Sequence, residues 1–167
     1  MAAQIVSRPK LAALDTNILF HLAQNYAPAH NLVRRLVRSG FTPIVTQTVV
    51  QELGFFATDG DSAKKRAAAT CALVSMRSWG IQPSGLKPVG NGICEIAANV
   101  ILSRELLPET ERNDAYILIE CGFLAVAMLL TWDGHLLDAS NESLNEVLKS
   151  FDLHPVQILP PGVILRD

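Results

Sequence analysis

The sequence predicts an α/β fold, a three-layer α/β/α sandwich around a mainly parallel central sheet, and two observations lead to this prediction. The first is a series of short apolar runs of strand length along the 167 residues. The second is that segments with apolar side chains at helical spacing alternate with these runs. Strands that alternate with helices are typical of parallel sheets covered by helices. The length, together with a sequence that shows neither an internal repeat nor a linker-like stretch, predicts a single domain over residues 1–167 with its core at about 11–159.

Five apolar runs have the length of strands. They lie at residues 11–14, 43–46, 81–83, 126–131 and 155–159. Segments of helical periodicity occupy most of the chain between and after them. These lie at about 17–26, 28–40, 49–56, 62–79, 93–108, 114–123 and 141–150. We expect the third strand, which is short, at an edge of the sheet.

Residues with strong positional preferences set the expected ends of several helices. Pro28 suits the first turn of a helix, and Gly40 suits a helix end. Thr48 and Asn113 are predicted to cap the helices that follow them. Residues 84–92 contain three glycines and a proline, and we therefore predict a loop there.

Composition limits the classes of function. The chain is 49% hydrophobic and 18% charged, which is enough apolar material for a core and excludes a disordered protein. A net charge of −2 argues against a protein that coats nucleic acid through bulk charge. No apolar run approaches the about 20 residues that a membrane span needs, and the three cysteines show no zinc-ribbon spacing. We expect a cytoplasmic protein that is not bound to a membrane.

Four carboxylates are predicted to meet at one edge of the sheet. Asp15 and Asp133 follow the first and fourth strands, and Glu52 lies early in the helix after the second strand. Asp114 opens the helix that leads into the fourth strand, so it lies at the same edge. Because clustered carboxylates repel one another, a divalent cation is expected to neutralise them. Oxygen ligands favour Mg²⁺ or Mn²⁺, and such an ion can activate water against a phosphodiester.

Each of these acids also has a simpler explanation. Asp15 suits the cap of a helix, and Asp114 suits the first turn of one. Glu52 is compatible with a solvent-facing position, and Asp133 with a turn before Gly134. These explanations are adequate for any one acid, but they do not account for four acids at one sheet edge.

At these residues the sequence resembles PIN domains, and most closely the VapC-type toxin ribonucleases. The matching segments are LAALDTNILF at 11–20, TQTVVQEL at 46–53, ERNDAYILIECG at 111–122 and LLTWDGHLL at 129–137. The resemblance implies a PIN-like sandwich and an endoribonuclease that uses Mg²⁺ or Mn²⁺ to cut single-stranded RNA. It also implies a homodimer and an antitoxin protein as partner, with the region 57–78 as a helical pair for such contacts.

The same resemblance implies roles for individual residues. Asp15 and Asp114 are expected to be the main metal ligands, while Glu52 and Asp133 hold metal-bound water or a second ion. Thr16 or Asn17, and Thr131, are expected to support the acids or bind water. The segments that carry these residues come in the order that the family shows.

Basic side chains on two predicted helices are candidate phosphate contacts. They are Arg34, Arg38, Lys64, Lys65 and Arg66. Without the four acids, 14 basic side chains face 12 acidic ones, so an RNA backbone is not repelled by the rest of the chain. The alternative for these residues is an ordinary solvated helix face.

Two other functions remain open at this point. A haloacid-dehalogenase-like phosphatase also places an aspartate after its first strand, but it needs a second aspartate two residues later, where this chain has Asn17. A PIN fold can also serve as a non-catalytic binding module. Trp79 and Trp132 are interpreted as packing residues rather than as platforms for nucleobases.

Overall fold

The computed structural model describes residues 9–166, and its centre is a five-stranded sheet in which every pairing is parallel. The strand order is β3-β2-β1-β4-β5. The strands are β1 (Lys10–Leu14), β2 (Phe41–Val45), β3 (Gln82–Pro83), β4 (Met128–Leu130) and β5 (Gln157–Leu159). The predicted parallel sheet is confirmed, and the third strand lies at an edge as expected.

The strand β1 lies in the middle of the sheet, between β2 and β4. Ala12 is paired with Pro43 on one side and with Met128 on the other, and Leu14 is paired with Leu130. The last three residues of β1 are fully buried, because helices cover the sheet. The residue that follows β1 therefore enters the centre of the carboxyl edge.

The described residues form nine α-helices and one short 3-10 helix. They are α1 (Thr16–Ala23), α2 (Ala27–Arg38), α3 (Gln47–Asp59), α4 (Ala63–Ser75), α5 (Pro88–Ser103), α6 (Arg112–Phe123), α7 (Gly134–Asp138), α8 (Asn141–Ser150) and α9 (Gly162–Leu165), with the 3-10 helix at Glu109–Glu111. Helix α1 packs on α2 and α4, and α5 packs on α6 and α8. The arrangement is the predicted α/β sandwich. None of the described helices is long and apolar enough to cross a membrane.

The predicted loop at residues 84–92 is wrong in its second half. Helix α5 begins at Pro88, which occupies the first turn, so Gly90 and Gly92 are helical. Gly90 is buried where a Cβ would lie 3.3 Å from the ring of Phe123. The glycine therefore allows close packing on α6 and does not form a turn, and composition does not distinguish these two uses.

Two predicted helix caps are also wrong. Thr46 precedes α3 and Glu111 precedes α6, whereas Thr48 and Asn113 lie inside the helices. Both inner side chains instead make contacts to distant acidic residues, which local sequence does not reveal. The short helices α7 and α9 were not predicted, since neither is long enough to show helical periodicity.

Several terminal features agree with the sequence. A proline lies in the first turn of α2, and Gly40 follows its end with a φ of 80°. Such a positive φ is the conformation for which glycine is preferred after a helix. Cys94 and Cys121 are buried as free thiols, and Cys71 is half-buried.

Candidate active site

The carboxyl edge of the sheet brings the four predicted acids into one electrostatic environment. Asp15 follows β1, Glu52 lies on α3, Asp114 lies in the first turn of α6, and Asp133 precedes α7. Burial is the largest cause of a raised Asp114 pKa, and the charges of the other three acids and of Glu111 raise it further. The charges of Asp15, Glu52 and Asp133 therefore all act on Asp114.

Asp15 is buried and held by three hydrogen bonds. Its Oδ1 accepts from the backbone N–H of Thr16 at 2.7 Å. Its Oδ2 accepts from the Asn17 amide and from the Thr131 hydroxyl, both at 2.6 Å. Burial raises the pKa of Asp15 to about 6, although the bonds from Thr131 and Thr16 oppose the shift. A carboxylate has about four lone-pair positions, so one remains free for a further ligand.

Thr131 and Asn17 join the end of β1 to the end of β4. Besides its bond to Asp15, the Thr131 hydroxyl accepts from the Asn17 amide at 3.0 Å and from the backbone N–H of Asp133 at 2.8 Å. The Asn17 carbonyl oxygen accepts from the backbone N–H of Trp132 at 3.2 Å. These two residues therefore fix the position of Asp15 relative to the segment after β4, which carries Asp133.

Glu52 is held from two other helices. Its Oε2 accepts from the Thr16 hydroxyl at the start of α1. Its Oε1 accepts from the Asn113 amide of α6 at 2.8 Å. Glu52 does not simply face solvent, because its carboxylate connects α1, α3 and α6 at the edge that holds the other acids.

Asp114 differs from the other three acids because its charge is not compensated. It is 9% exposed, and its Oδ2 has no hydrogen-bond partner. Among the described residues, the only other buried side-chain oxygen without a partner is the Thr46 hydroxyl. Burial, followed by the charge of Asp15, raises the pKa of Asp114 to about 8. A buried carboxylate oxygen without a partner is unfavourable, and a bound proton or cation would relieve this.

Asp133 serves as the cap of α7. Its Oδ1 accepts from the backbone N–H groups of His135 at 2.7 Å and Leu136 at 3.4 Å. The simpler explanation for this acid, a turn before Gly134, is replaced by a helix cap, which accounts for one of its two carboxylate oxygens. His135 is exposed, and its Nε2 lies 3.8 Å from Glu111 Oε1.

The chemistry of these donors fits a hard divalent cation, but they are not arranged as a finished coordination sphere. All four side chains offer carboxylate oxygens, as Mg²⁺ and Mn²⁺ prefer. Within residues 9–166, no Lys or Arg forms an ion pair with any of them. Across the same part of the chain, no three His, Cys, Asp or Glu side chains converge as a complete metal-binding group. A metal bound here could use the unpartnered Asp114 Oδ2, and the remaining carboxylates would have to move to complete its coordination.

The five basic side chains predicted as phosphate contacts do not contact the acids. Arg34 donates to Asn31 Oδ1, and Arg38 lies at the end of α2, which leads into the amino end of β2. Lys65 lies over the Phe56 ring and beside Asp61, and Arg66 donates to the carbonyl of Gly60. Lys64, next to Lys65 in the first turn of α4, is exposed. The phosphate contacts proposed for these residues therefore remain a prediction.

Two residues that position the site were not predicted. Asn113 donates to Glu52, and Glu120 accepts from both the backbone N–H and the hydroxyl of Thr48. Glu120 is 3% exposed. The one available signal was an acid in the middle of an otherwise apolar helix, since a buried charge requires a partner.

The fold and the position of the acids define a parallel α/β sandwich with an acidic carboxyl edge. Among solved structures, the same architecture is found in one chain of the "Crystal structure of VapBC2 from Rickettsia felis bound to a DNA fragment from their promoter". The TM-score is 0.61 at 13% sequence identity, and the alignment covers 90% of this chain and 98% of that chain. The chain therefore has a VapC-like PIN fold. No protein-family model matches the sequence, and no curated protein matches it.

Proposed function

We propose that this chain is an endoribonuclease that uses Mg²⁺ or Mn²⁺ to hydrolyse phosphodiester bonds in single-stranded RNA. One observation carries the proposal: a buried aspartate oxygen, Asp114 Oδ2, has no partner and lies among other carboxylates. Such an arrangement is unfavourable unless a proton or a cation compensates it. The fold supports the proposal, since it places these acids where ligands approach open α/β sheets.

The residues would divide the work. Asp114 and Asp15 would hold the metal, the first through its free oxygen and the second through its remaining lone pair. Glu52 and Asp133 would hold water, and Thr131 and Asn17 would keep Asp15 in position. When bound, the divalent ion would lower the pKa of water and stabilise charge on the phosphate.

A phosphatase of the haloacid-dehalogenase type is less well supported. That chemistry needs an acid two residues after the first aspartate, and Asn17 uses both ends of its amide in hydrogen bonds within the site. A non-catalytic binding module is the remaining alternative. It would not need an uncompensated carboxylate, so a metal titration separates the two.

The similarity to a chain of a VapBC2 structure also supports a role in a toxin–antitoxin pair. We propose that the chain acts in the cytoplasm as the ribonuclease of such a pair, forms a homodimer and binds an antitoxin protein. Co-expression with the product of an adjacent small reading frame tests this part, and the complex should survive gel filtration.

The central experiment is incubation of the purified protein with mixed RNA and Mg²⁺ or Mn²⁺, beside the Asp114→Asn variant. We expect metal-dependent cleavage by the parent and at least about a hundredfold less by the variant. Asp152→Asn, which changes an exposed acid after α8, is the matched control and should cleave normally. Equal cleavage by Asp114→Asn, or no cleavage by the parent, would contradict the proposal.

A further inference from the structure

Three aromatic side chains form a cluster at the same edge of the sheet. His21 lies on α1, Tyr26 lies directly before α2, and Trp132 follows β4. The His21 and Trp132 rings are 4.9 Å apart at 78°, and the Tyr26 ring lies 5.1 Å from His21 and 6.0 Å from Trp132. Asn25, with a φ of 56°, turns the chain so that the Tyr26 N–H bonds the His21 carbonyl at 2.9 Å.

This cluster is directly connected to the acids. Trp132 is adjacent to Asp133, and its backbone N–H donates to Asn17, whose amide bonds Asp15. The hydrogen bonds that fix the acids therefore also fix the Trp132 backbone, so the aromatic cluster has a defined position next to the proposed phosphodiester site.

Core packing does not explain the outermost ring of the cluster. Trp132 is half-buried and packs against the core, but Tyr26 is 46% exposed and lies outside it. The ring contacts of Tyr26 are with His21 and Trp132, so two aromatic residues support a third that offers its surface to solvent.

The charge of the site makes such a surface useful. The acids repel an RNA backbone, and no described Lys or Arg is paired with them. Base-stacking on an aromatic ring does not depend on the phosphate charge and is the usual way in which proteins bind unpaired bases.

We propose that the cluster of His21, Tyr26 and Trp132 is a binding site for one unpaired nucleobase of the RNA, next to the phosphodiester that is cut. This inference rests on the proposed ribonuclease function and adds a substrate-binding residue to it. Tyr26 provides the stacking surface, and Trp132 and His21 support it. Paired RNA cannot present a base in this way, so the site selects single strands.

The test is a binding cycle on a fluorescently labelled ten-nucleotide RNA in the Asp114→Asn background, which prevents turnover. Each base is replaced in turn by an abasic position, and fluorescence anisotropy gives the affinity. With Tyr26 present, one abasic position should weaken binding about tenfold. In Tyr26→Ala that position should have no effect, and Tyr26→Phe should restore the penalty.

A second measurement reports the location of the base. In Trp79→Phe the remaining tryptophan is Trp132, and single-stranded RNA should quench its fluorescence.

Phe55→Ala, which removes an aromatic ring that is 59% exposed on α3, is the matched control for Tyr26→Ala and should bind RNA like the parent. An unlabelled RNA duplex should not compete.

The outcomes separate this inference from the ribonuclease proposal. Cleavage by the parent together with an unchanged abasic penalty in Tyr26→Ala would overturn the base site alone. A Tyr26-dependent penalty without cleavage by the parent would overturn the ribonuclease alone. If Tyr26→Phe behaves like Tyr26→Ala, or if duplex RNA competes equally, stacking at this position is wrong.

Discussion

The carboxylate of Glu120, near the end of α6, accepts two hydrogen bonds from Thr48, in the first turn of α3. Its Oε2 lies 3.1 Å from the Thr48 backbone nitrogen, and its Oε1 lies 2.9 Å from the Thr48 hydroxyl. The first N–H groups of a helix lack partners within the helix, and a negative charge there is favourable. Glu120 thus caps α3 although it lies 72 positions after Thr48 in the chain. Helix α3 is also the helix that carries Glu52.

Removing this cap should destabilise the protein and disturb Glu52. In Glu120→Ala the Thr48 N–H and hydroxyl lose their buried partner, and we expect the free energy of unfolding to fall by about 2 kcal/mol. Glu120→Gln keeps one acceptor and should lose less. Urea denaturation measures both, with the exposed Glu146→Ala as a control that should change stability by less than about 0.5 kcal/mol. A loss for Glu120→Ala no larger than for the control would show that the cap is unimportant.

The hydroxyl of Thr131 should matter more than its methyl group. Thr131→Val keeps the shape but removes the bond to Asp15 and the acceptor for the Asp133 N–H. We expect a cost of about 2 kcal/mol in the free energy of unfolding, most of which Thr131→Ser should restore. Thr70→Val, which removes an exposed hydroxyl bonded to the Arg66 carbonyl, is the control. If both valine variants are equally stable, the hydrogen bonds at the sheet edge contribute little.

The stability of the metal-free protein should fall as the pH rises. Burial raises the pKa of Asp15 to about 6 and that of Asp114 to about 8, both above the ordinary value of 3.8. The folded state therefore binds these protons more strongly than the unfolded state. Their contribution to the free energy of unfolding is largest at low pH and is lost as the pH rises through the two raised pKa values. Between pH 5 and 8.5 we expect a loss of at least about 2 kcal/mol.

Asp114→Asn provides the control for this pH dependence. The amide cannot ionise, so the variant should lose much less stability over the same pH interval. At pH 8.5 its free energy of unfolding should be larger than that of the parent. Urea denaturation in EDTA at both pH values measures this. In Mn²⁺ the parent should regain stability at high pH, and the variant should not. A parent whose stability is independent of pH would argue that Asp114 is not held in an unfavourable ionised state.

Two helical glycines should respond oppositely to the same substitution. A Cβ at Gly122 would lie 2.7 Å from Leu148 Cδ2 and 3.1 Å from the His154 carbonyl oxygen, so Gly122→Ala should cost about 1–3 kcal/mol. Gly54 in α3 has no atom within 4 Å of that position, and Gly54→Ala should stabilise by about 0.5–1 kcal/mol. Thermal unfolding of both variants measures the difference. Similar melting temperatures would contradict the close approach of α6 to α8.

Local sequence was sufficient where neighbouring residues decide the structure. The apolar run before Asp15 correctly predicted a strand, because a short run of apolar residues suits a strand that is covered on both faces. Pro28 and Gly40 correctly marked α2, since their backbone preferences act within a few residues. The order of strands and helices then placed the four acids at one sheet edge, because chain direction fixes which end of each element lies there.

Local sequence failed where a partner is distant. Thr48 and Asn113 have the chemistry of caps, but their side chains bond Glu120 and Glu52 across 72 and 61 positions of the chain. Gly90 lies in a segment whose glycines and proline are typical of a loop, yet it is helical and packs on Phe123. Trp132 was interpreted from the sequence as a packing residue, and its position beside Tyr26 and the acids becomes visible only in the folded structure.

The sequence by itself therefore determined the fold class, the parallel sheet and the meeting of Asp15, Glu52, Asp114 and Asp133 at one edge. The tertiary structure alone decided how each acid is compensated: Asp15 by three donors, Glu52 by two, and Asp114 Oδ2 by none. The physical reason is that periodicity and chain direction are encoded locally, whereas burial and hydrogen-bond partners depend on residues brought together by folding.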